Sequence, residues 1–590
     1  MTSTSDVLAR YESGWPIRWI AAEAGRSYGW VYRQLQDAGV TMRPRGSSRR
    51  TAGEADPLVA GGEVSTLVMR LVRPGFRCLL GDEEDRRISA RFGAPVGRLS
   101  KGAVPTGRAA RAALVGALAG EPLALTVNQE GGRLNAADWP DLSLLPGAMA
   151  LGAAGDPGLA REAGAAIGGQ LRALGLTWNL APVCDLYLGR GNPALGTRCF
   201  GSDPEQVAAL AAAFVDGLEG AGVAATAKHF PGLGGVDVDP HAKVGRLDRL
   251  PRGALLPFEA AIAAGASAVM VGSHVVADVD DLPAVFSPRI VRGLLRDRLG
   301  FGGVVVTENL SIPALICAAG GIGEAAVRAL EAGADLLMVD SEVSRRKPAD
   351  VARHSNTALA VRRAAVVAAV VEAVQQGRLT RDRLLSSAAR VDALVKRHGI
   401  AQPADLGDEL ALRAASRTAS QVCLRVAQAA VTVVRGNARI LPLRMPPGGV
   451  LGVIRVPAVR GLRADSSWQT PYVLPGLLTE FHPRIEAVTV DTNTSPGVPH
   501  AAKWEAVVVA THNACHGRHD HRITIGALVG QGRPVIHLAT GDPADLTDTP
   551  AHVAIATYSP DPASVRAAVR TIFGAHHSTG ALPVPARGDR

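Results

Sequence analysis

At 590 residues the chain is long enough for two to four domains. Hydrophobic residues make up 47%, which supplies full-size cores, and the net charge of +9 is too small for this length to make the whole surface a polyanion binder. The six cysteines, Cys78, Cys184, Cys199, Cys317, Cys423 and Cys515, are scattered with no C-x-x-C, which excludes a small disulfide scaffold and reads as reduced thiols. Met1–Ala9 has neither a basic n-region nor an apolar h-region. No run of roughly 18 apolar residues occurs, so no membrane span and a cytoplasmic location are expected.

The first fifty residues carry eight arginines against Asp6, Glu12, Glu23 and Asp37. Val7–Ser13 reads as a short helix. Pro16–Ala24 reads as a second, with Ile17, Ile20 and Ala21 on its apolar face. Gly25 fits a tight turn, and Ser27 caps a third helix through Ala38, with Val31, Leu35 and Ala38 inward. Helix, glycine turn, helix at this size is the helix-turn-helix pattern. The blocks "GRSYGWVYRQL" and "AGVTMRPRG" resemble small helix-turn-helix modules. That resemblance implies DNA as a partner through residues 1–50, with Tyr28, Trp30 and Arg33 as contact candidates. A helical protein-interaction cap is the alternative. The small, polar run Gly46–Ala55 reads as a flexible linker; the module is taken as residues 1–50 and the linker as 51–60.

Residues 61–400 alternate short apolar strands with amphipathic helices. The strand readings are Pro122–Val127, Thr177–Leu180, Val223–Lys228, Ala268–Gly272, Val304–Thr307 and Asp335–Val339. One helix puts Val207, Leu210, Phe214 and Leu218 on a single stripe. Another opens at Ser287 with Pro288 at its first position. This alternation predicts a parallel TIM-type (β/α) barrel, which gathers its chemistry at the C-terminal strand ends. Residues 401–440 connect to a smaller α/β sandwich over 441–590. Its strand readings are Val450–Val456, Ala487–Val490, Ala506–Ala510, Val535–Ala539 and Val553–Thr557, followed by a helix at Pro562–Phe573. With the all-α module in front, the class is α/β.

His512, Cys515, His516, His519, Asp520 and His521 are metal-ligand types within ten residues. They have no regular zinc spacing, so the stretch reads as a solvated loop and no metal site is expected. The chain has no P-loop, no dinucleotide-binding fingerprint and no G-x-S-x-G elbow.

Ionisable residues stand just past the apolar strands: Asn128-Gln-Glu-Gly-Gly-Arg133, Lys228 to His241, and Thr307-Glu-Asn-Leu-Ser311. The segment "KHFPGLGGVDVDPH" is similar to the signature K-H-F-P-G-H-G-x-x-x-x-D-S-H of the bacterial β-N-acetylhexosaminidases of glycoside hydrolase family three. "NLAPVCDL", "NPALGTRCFGSDP", "VNQEGGR", "VMVGSHVV", "GFGGVVVTENLS" and "STGALPV" resemble that family's other blocks in order and spacing. The likeness runs from about Leu67 to Pro585. It implies an amino-sugar glycoside as substrate and no cofactor. His241 would be the general acid/base with Asp239 as its dyad partner, because an oriented carboxylate fixes the imidazole tautomer. Lys228, His229, Arg198 and Asn128 would bind the sugar.

Four positions depart from the family pattern. Its nucleophilic Asp is Glu308 here, whose carboxylate reaches roughly 1–1.5 Å further. Its substrate-binding Asp is Asn128, its second signature His is Leu233, and an Arg common after G-G-R is replaced at Asn135 and Ala136. Two functions are therefore expected: a retaining glycosidase releasing terminal β-linked N-acetylhexosamine, with Glu308 as nucleophile, or a sugar-responsive DNA-binding regulator on a reduced hydrolase barrel. The two are compatible.

Overall fold

Eight short strands form the first sheet: β1 (Val72–Phe76), β2 (Val96–Leu99), β3 (Ala124–Val127), β4 (Trp178–Asn179), β5 (Thr226–Phe230), β6 (Ala268–Val271), β7 (Val304–Asn309) and β8 (Leu336–Val339). The computed structural model describes residues 26–40, 62–76, 96–99, 124–136, 142–189, 194–239, 243–339, 348–399, 409–456, 472–490, 501–517 and 521–585, with positions 4, 7, 8, 11, 17, 20 and 21. The strands pair in parallel in chain order, and β1 pairs with β8. Parallel bridges Trp178–Ala224 and Val183–Lys228 close the ring between β4 and β5. The fold is a TIM-type barrel.

The period of two along each strand sorts its residues. Trp178, Ala224, Ala268, Met270, Val304, Val306, Leu336 and Met338 share one buried cluster, the barrel interior. Ala225, Ala227, Val269, Val271, Val305, Leu337 and Val339 belong to the larger core that includes the surrounding helices. Val391, Leu394 and Val395 of helix Arg381–His398 join the interior cluster. That helix is anchored where β8 begins: buried Asp335 accepts from Ser387 Oγ at 2.7 Å and Arg390 Nη1 at 3.1 Å. It therefore stoppers the N-terminal end, and the opposite end is left for chemistry.

The sequence reading misses β1 and β2. Their sequences, VRPGF and VGRL, mix Pro, Gly and Arg with few apolar residues, and pairing with neighbours makes them strands. The expected stripe Val207, Leu210, Phe214 and Leu218 is buried on helix Pro204–Gly220, whose first turn is capped by Asp203 Oδ1 accepting from Gln206 N at 2.8 Å.

The second sheet contains β9 (Thr432–Arg435), β10 (Leu451–Arg455), β11 (Ile485–Thr489), β12 (Ala506–Thr511), β13 (Val535–Ala539) and β14 (Val553–Ala556). Its order is β9-β14-β13-β12-β10-β11, all parallel except β9. Strand β9, also missed, is an edge strand that the reading assigns to a connecting segment. The chain end docks on the barrel: Ser202 N donates to Pro583 O at 3.0 Å and Ala581 N to Ala153 O at 2.9 Å.

In the first module, helix Tyr28–Asp37 is capped by Ser27, whose Oγ accepts from Trp30 N at 3.2 Å. Val7, Tyr11, Ile20, Ala21, Val31 and Leu35 form its core. Ala38, expected inward, is exposed at the helix end. Among the described residues no single helix is long and apolar enough to cross a membrane.

Candidate active site

The alternation that fills the barrel with Ala224 and Thr226 brings Lys228, the middle residue of β5, above them, and Val304 and Val306 deliver Glu308 near the end of β7. Lys228 is 2% exposed. Its Nζ lies 2.5 Å from Glu130 Oε1 and donates to Asn128 Oδ1 at 3.2 Å. Arg198 closes on the same carboxylate from the other side, with Nε and Nη2 donating to Glu130 at 2.8 and 2.9 Å, while its Nη1 donates to Ala194 O. Two cations on one anion leave this corner net positive. Burial alone would raise the Glu130 carboxyl, but Arg198 and Lys228 outweigh it and hold the group at about 2. Glu130 thus engages two of the four expected sugar-binding residues directly, and a third, Asn128, is held by Lys228, although the reading of its motif gives Glu130 no role.

A second missed residue organises the fourth. Asp185, fully buried past β4, accepts from His229 Nδ1 at 2.7 Å, from His229 N at 3.3 Å and from Leu233 N at 2.6 Å. Burial raises the Asp185 carboxyl, and the His229 charge and these donors lower it below the usual value on balance. The Leu233 side chain packs with Val183, Leu195, Cys199, Val236 and Leu247. A leucine fits that apolar wall, which explains how the chain accommodates the departure at this position.

Glu308 is 6% exposed, and its Oε2 has no hydrogen-bond partner among the described residues. His274, past β6, is fully buried with neither ring nitrogen hydrogen-bonded to a described residue; Ser273 Oγ and Ser311 Oγ are in the same condition. Burial pushes His274 down to about 4, against the raising pull of Asp185 and Glu308, so the imidazole is neutral at neutral pH. Buried polar atoms are normally satisfied. A concentration of unsatisfied ones at strand ends is the mark of a pocket shaped for a polar ligand. His274 was also missed, although it lies within "VMVGSHVV".

Asp239 is half-buried in the loop after β5, with its carbonyl accepting from Lys243 N at 3.2 Å. His241 lies outside the described residues. Asn135 is buried and donates to Gly132 O at 2.9 Å. The second domain reaches this mouth: Asp542 accepts from Tyr187 Oη at 3.2 Å. Gly196 fits where the two meet, with φ +48, because a methyl there would stand 2.5 Å from Arg133 Nη1 and 3.6 Å from Asp542 Oδ2. Beside it, Tyr187, Ser202, Arg435 and Thr549 line a cleft of about 670 Å³ between the domains.

Of the DNA-contact candidates, Arg33 is exposed, with Nε donating to Gly29 O at 3.2 Å. Trp30 departs from the expected outward position: it packs half-buried on the module's core with the Arg26 guanidinium 5.2 Å from its ring centroid. The Tyr28 side chain lies outside the described residues.

A parallel barrel with charge-compensated Lys, Arg, His and carboxylate groups at its C-terminal mouth, and an α/β sandwich docked there, has the layout of a barrel enzyme. Residues 103–394 match the glycosyl hydrolase family 3 N-terminal domain, and residues 2–50 match a helix-turn-helix domain. The chain is 41% identical over 237 residues to a β-hexosaminidase of Stenotrophomonas maltophilia (strain R551-3), covering 38% of this chain and 70% of that one. It is 40% identical over 249 residues to a β-hexosaminidase of Xylella fastidiosa (strain M23), covering 40% and 73%. The solved glycoside hydrolase family 3 β-N-acetylglucosaminidase from Paenibacillus sp. str. FPU-7 matches with a TM-score of 0.77 and 30% identity, over 88% of this chain and 98% of that one. The chain belongs to glycosyl hydrolase family 3. It is a β-hexosaminidase-like glycosidase that carries an N-terminal helix-turn-helix domain.

Proposed function

We propose that the protein releases terminal β-linked N-acetylhexosamine, N-acetylglucosamine above all, by a retaining mechanism. The buried Glu308 carboxylate, with an oxygen that no described residue engages, carries this reading. Glu308 attacks the anomeric carbon as His241, oriented by Asp239, gives its proton to the leaving oxygen. Water then loses a proton to His241 and displaces Glu308, restoring both groups. Lys228, Arg198, His229 and Asn128 hold the sugar hydroxyls, and the neutral His274 beside Glu308 leaves the nucleophile's charge uncompensated until a cationic transition state forms. We place the reaction in the cytoplasm. The test is release of a chromogenic N-acetylglucosaminide by the parent and by His241→Ala. Release that is no faster in the parent would end this reading.

A second activity is favoured by the exposed Arg33 on a capped helix of the N-terminal module: sugar-responsive binding of DNA through residues 1–50. Duplex affinity is to be compared between the full chain and a chain starting at residue 51, with and without N-acetylglucosamine. Affinity must fall on truncation and on raising salt, since phosphate contacts release counterions. Equal affinity in both chains removes this activity.

A further inference from the structure

We infer that Cys515, His516 and Asp542 form a site for a borderline divalent cation of the zinc type, at the C-terminal edge of the second sheet. The three donor atoms, Sγ, an imidazole nitrogen and a carboxylate oxygen, all lie within 4.8 Å of one another. His516 Nε2 is buried and lacks a hydrogen-bond partner among the described residues. It points at Asp542 Oδ2 from 3.6 Å, too far for a hydrogen bond. That spacing suits an ion between them: ligands at about 2.0–2.3 Å on one tetrahedral centre stand roughly 3.3–3.6 Å apart. Closing the cluster onto an ion takes movements of no more than about 1.5 Å, well within side-chain rotation.

The two loops that carry these donors follow adjacent parallel strands, β12 and β13, where open α/β sheets bind ligands. They are tied to each other. Buried Asp545 accepts from Ala514 N at 3.1 Å and Cys515 N at 2.8 Å, and Asn513, in the left-handed region at φ +56, accepts from Asp542 N at 2.9 Å. Asp542 is oriented further by Ala544 N at 2.9 Å and Tyr187 Oη. The ligand frame is therefore held by an outer shell before any ion arrives.

The chemistry selects the ion. Thiolate, imidazole and carboxylate together suit zinc, whereas magnesium and calcium want oxygen alone. Binding breaks the Cys515 S–H bond and releases that proton to solvent. Thiolate and carboxylate then neutralise the dication, and a fourth position is left for water. The local sequence hides this site because Asp542 lies 26 residues beyond His516 and arrives on the next strand. An ion here would staple the second domain to the Tyr187 loop at the barrel mouth.

The full chain, without a polyhistidine tag and stripped by chelator, is to be titrated with cobalt(II) and zinc(II). One equivalent should bind, with a thiolate-to-cobalt charge-transfer band and one proton released. Cys515→Ser should abolish the band, and both it and His516→Gln should weaken zinc by at least about tenfold, the scale on which even outer-shell partners act. Cys317→Ser, which removes an exposed thiol elsewhere, should change neither. Thermal melting of each variant without metal verifies folding. Absence of the band in the parent, or its survival in Cys515→Ser, overturns the site.

Discussion

Asp185 grips His229 at two points, accepting from its ring Nδ1 at 2.7 Å and from its backbone N–H at 3.3 Å. The contact fixes the tautomer, so Nε2 is the atom His229 presents to the site. It also couples the ring to the loop after β5, because the same carboxylate accepts from Leu233 N. His229, proposed to bind the sugar, and the loop leading toward His241, the proposed acid/base, are thus set by one buried anion.

Asp185→Asn keeps the shape and removes the charge. A charge-assisted hydrogen bond contributes about 1.5–3 kcal/mol, so kcat/KM on an N-acetylglucosaminide should fall roughly 10- to 100-fold. A residue that merely braced the fold would change the melting temperature and leave the pH profile in place. Steady-state kinetics across pH separate the two, and an unchanged profile with unchanged kcat/KM refutes the positioning role.

Glu308 replaces the family's aspartate, and the site should be built around its longer reach. Glu308→Asp withdraws the carboxylate by about 1–1.5 Å, and a misplacement of that size costs about a hundredfold. Glu308→Gln should lose at least about a thousandfold, or roughly 4 kcal/mol of barrier, by removing the proposed nucleophile. Single-turnover and steady-state rates check both. A Glu308→Asp enzyme as fast as the parent would mean that the neighbours still suit aspartate.

Two buried groups set an acid limb of stability. Glu130 sits at about 2 in the folded chain against 4.5 ordinarily. Its contribution is complete above pH 4.5 and is lost as pH falls from there toward 2. His274 sits at about 4 against 6.5 ordinarily. The unfolded chain therefore gains a proton first, and stability falls between pH 6.5 and 4. Each group contributes on the order of 3 kcal/mol. Urea midpoints measured near pH 7, about 5 and about 3.5 should drop in two stages. His274→Gln should flatten the upper stage alone. Identical curves for parent and variant would contradict the assignment.

Leu233→His restores the residue that family members carry in the signature. Here it would put an imidazole into a wall formed by Val183, Leu195, Cys199, Val236 and Leu247. An unsatisfied buried polar group costs about 1–3 kcal/mol, so the substitution should lower stability without raising activity. Denaturation midpoints and kcat/KM measure the two effects, and a faster enzyme of equal stability would refute the packing argument.

The sequence by itself determined the barrel, the docked sandwich and the small helical module, because period-two strands, capped helices and ordered motif blocks are local signals. It also placed Lys228 and Glu308 where apolar strands run out, since a residue's distance from the end of an apolar run is readable along the chain, whereas Arg198, in the turn Gly196–Arg198, was marked only by its motif block. It could not find β1, β2 or β9, whose strand character comes from neighbours, or the burial of Trp30 on its own module's core. Nor could it assign roles to Glu130, Asp185 and His274: each lies inside a recognised block, but its meaning is a partner more than 40 residues away, or the lack of a hydrogen-bond partner among the described residues. Tertiary structure alone decided that Lys228 and Arg198 share one carboxylate, and that Asp542 meets His516 across two strands. Charge compensation and ligand geometry depend on distances in space, and chain spacing does not encode them.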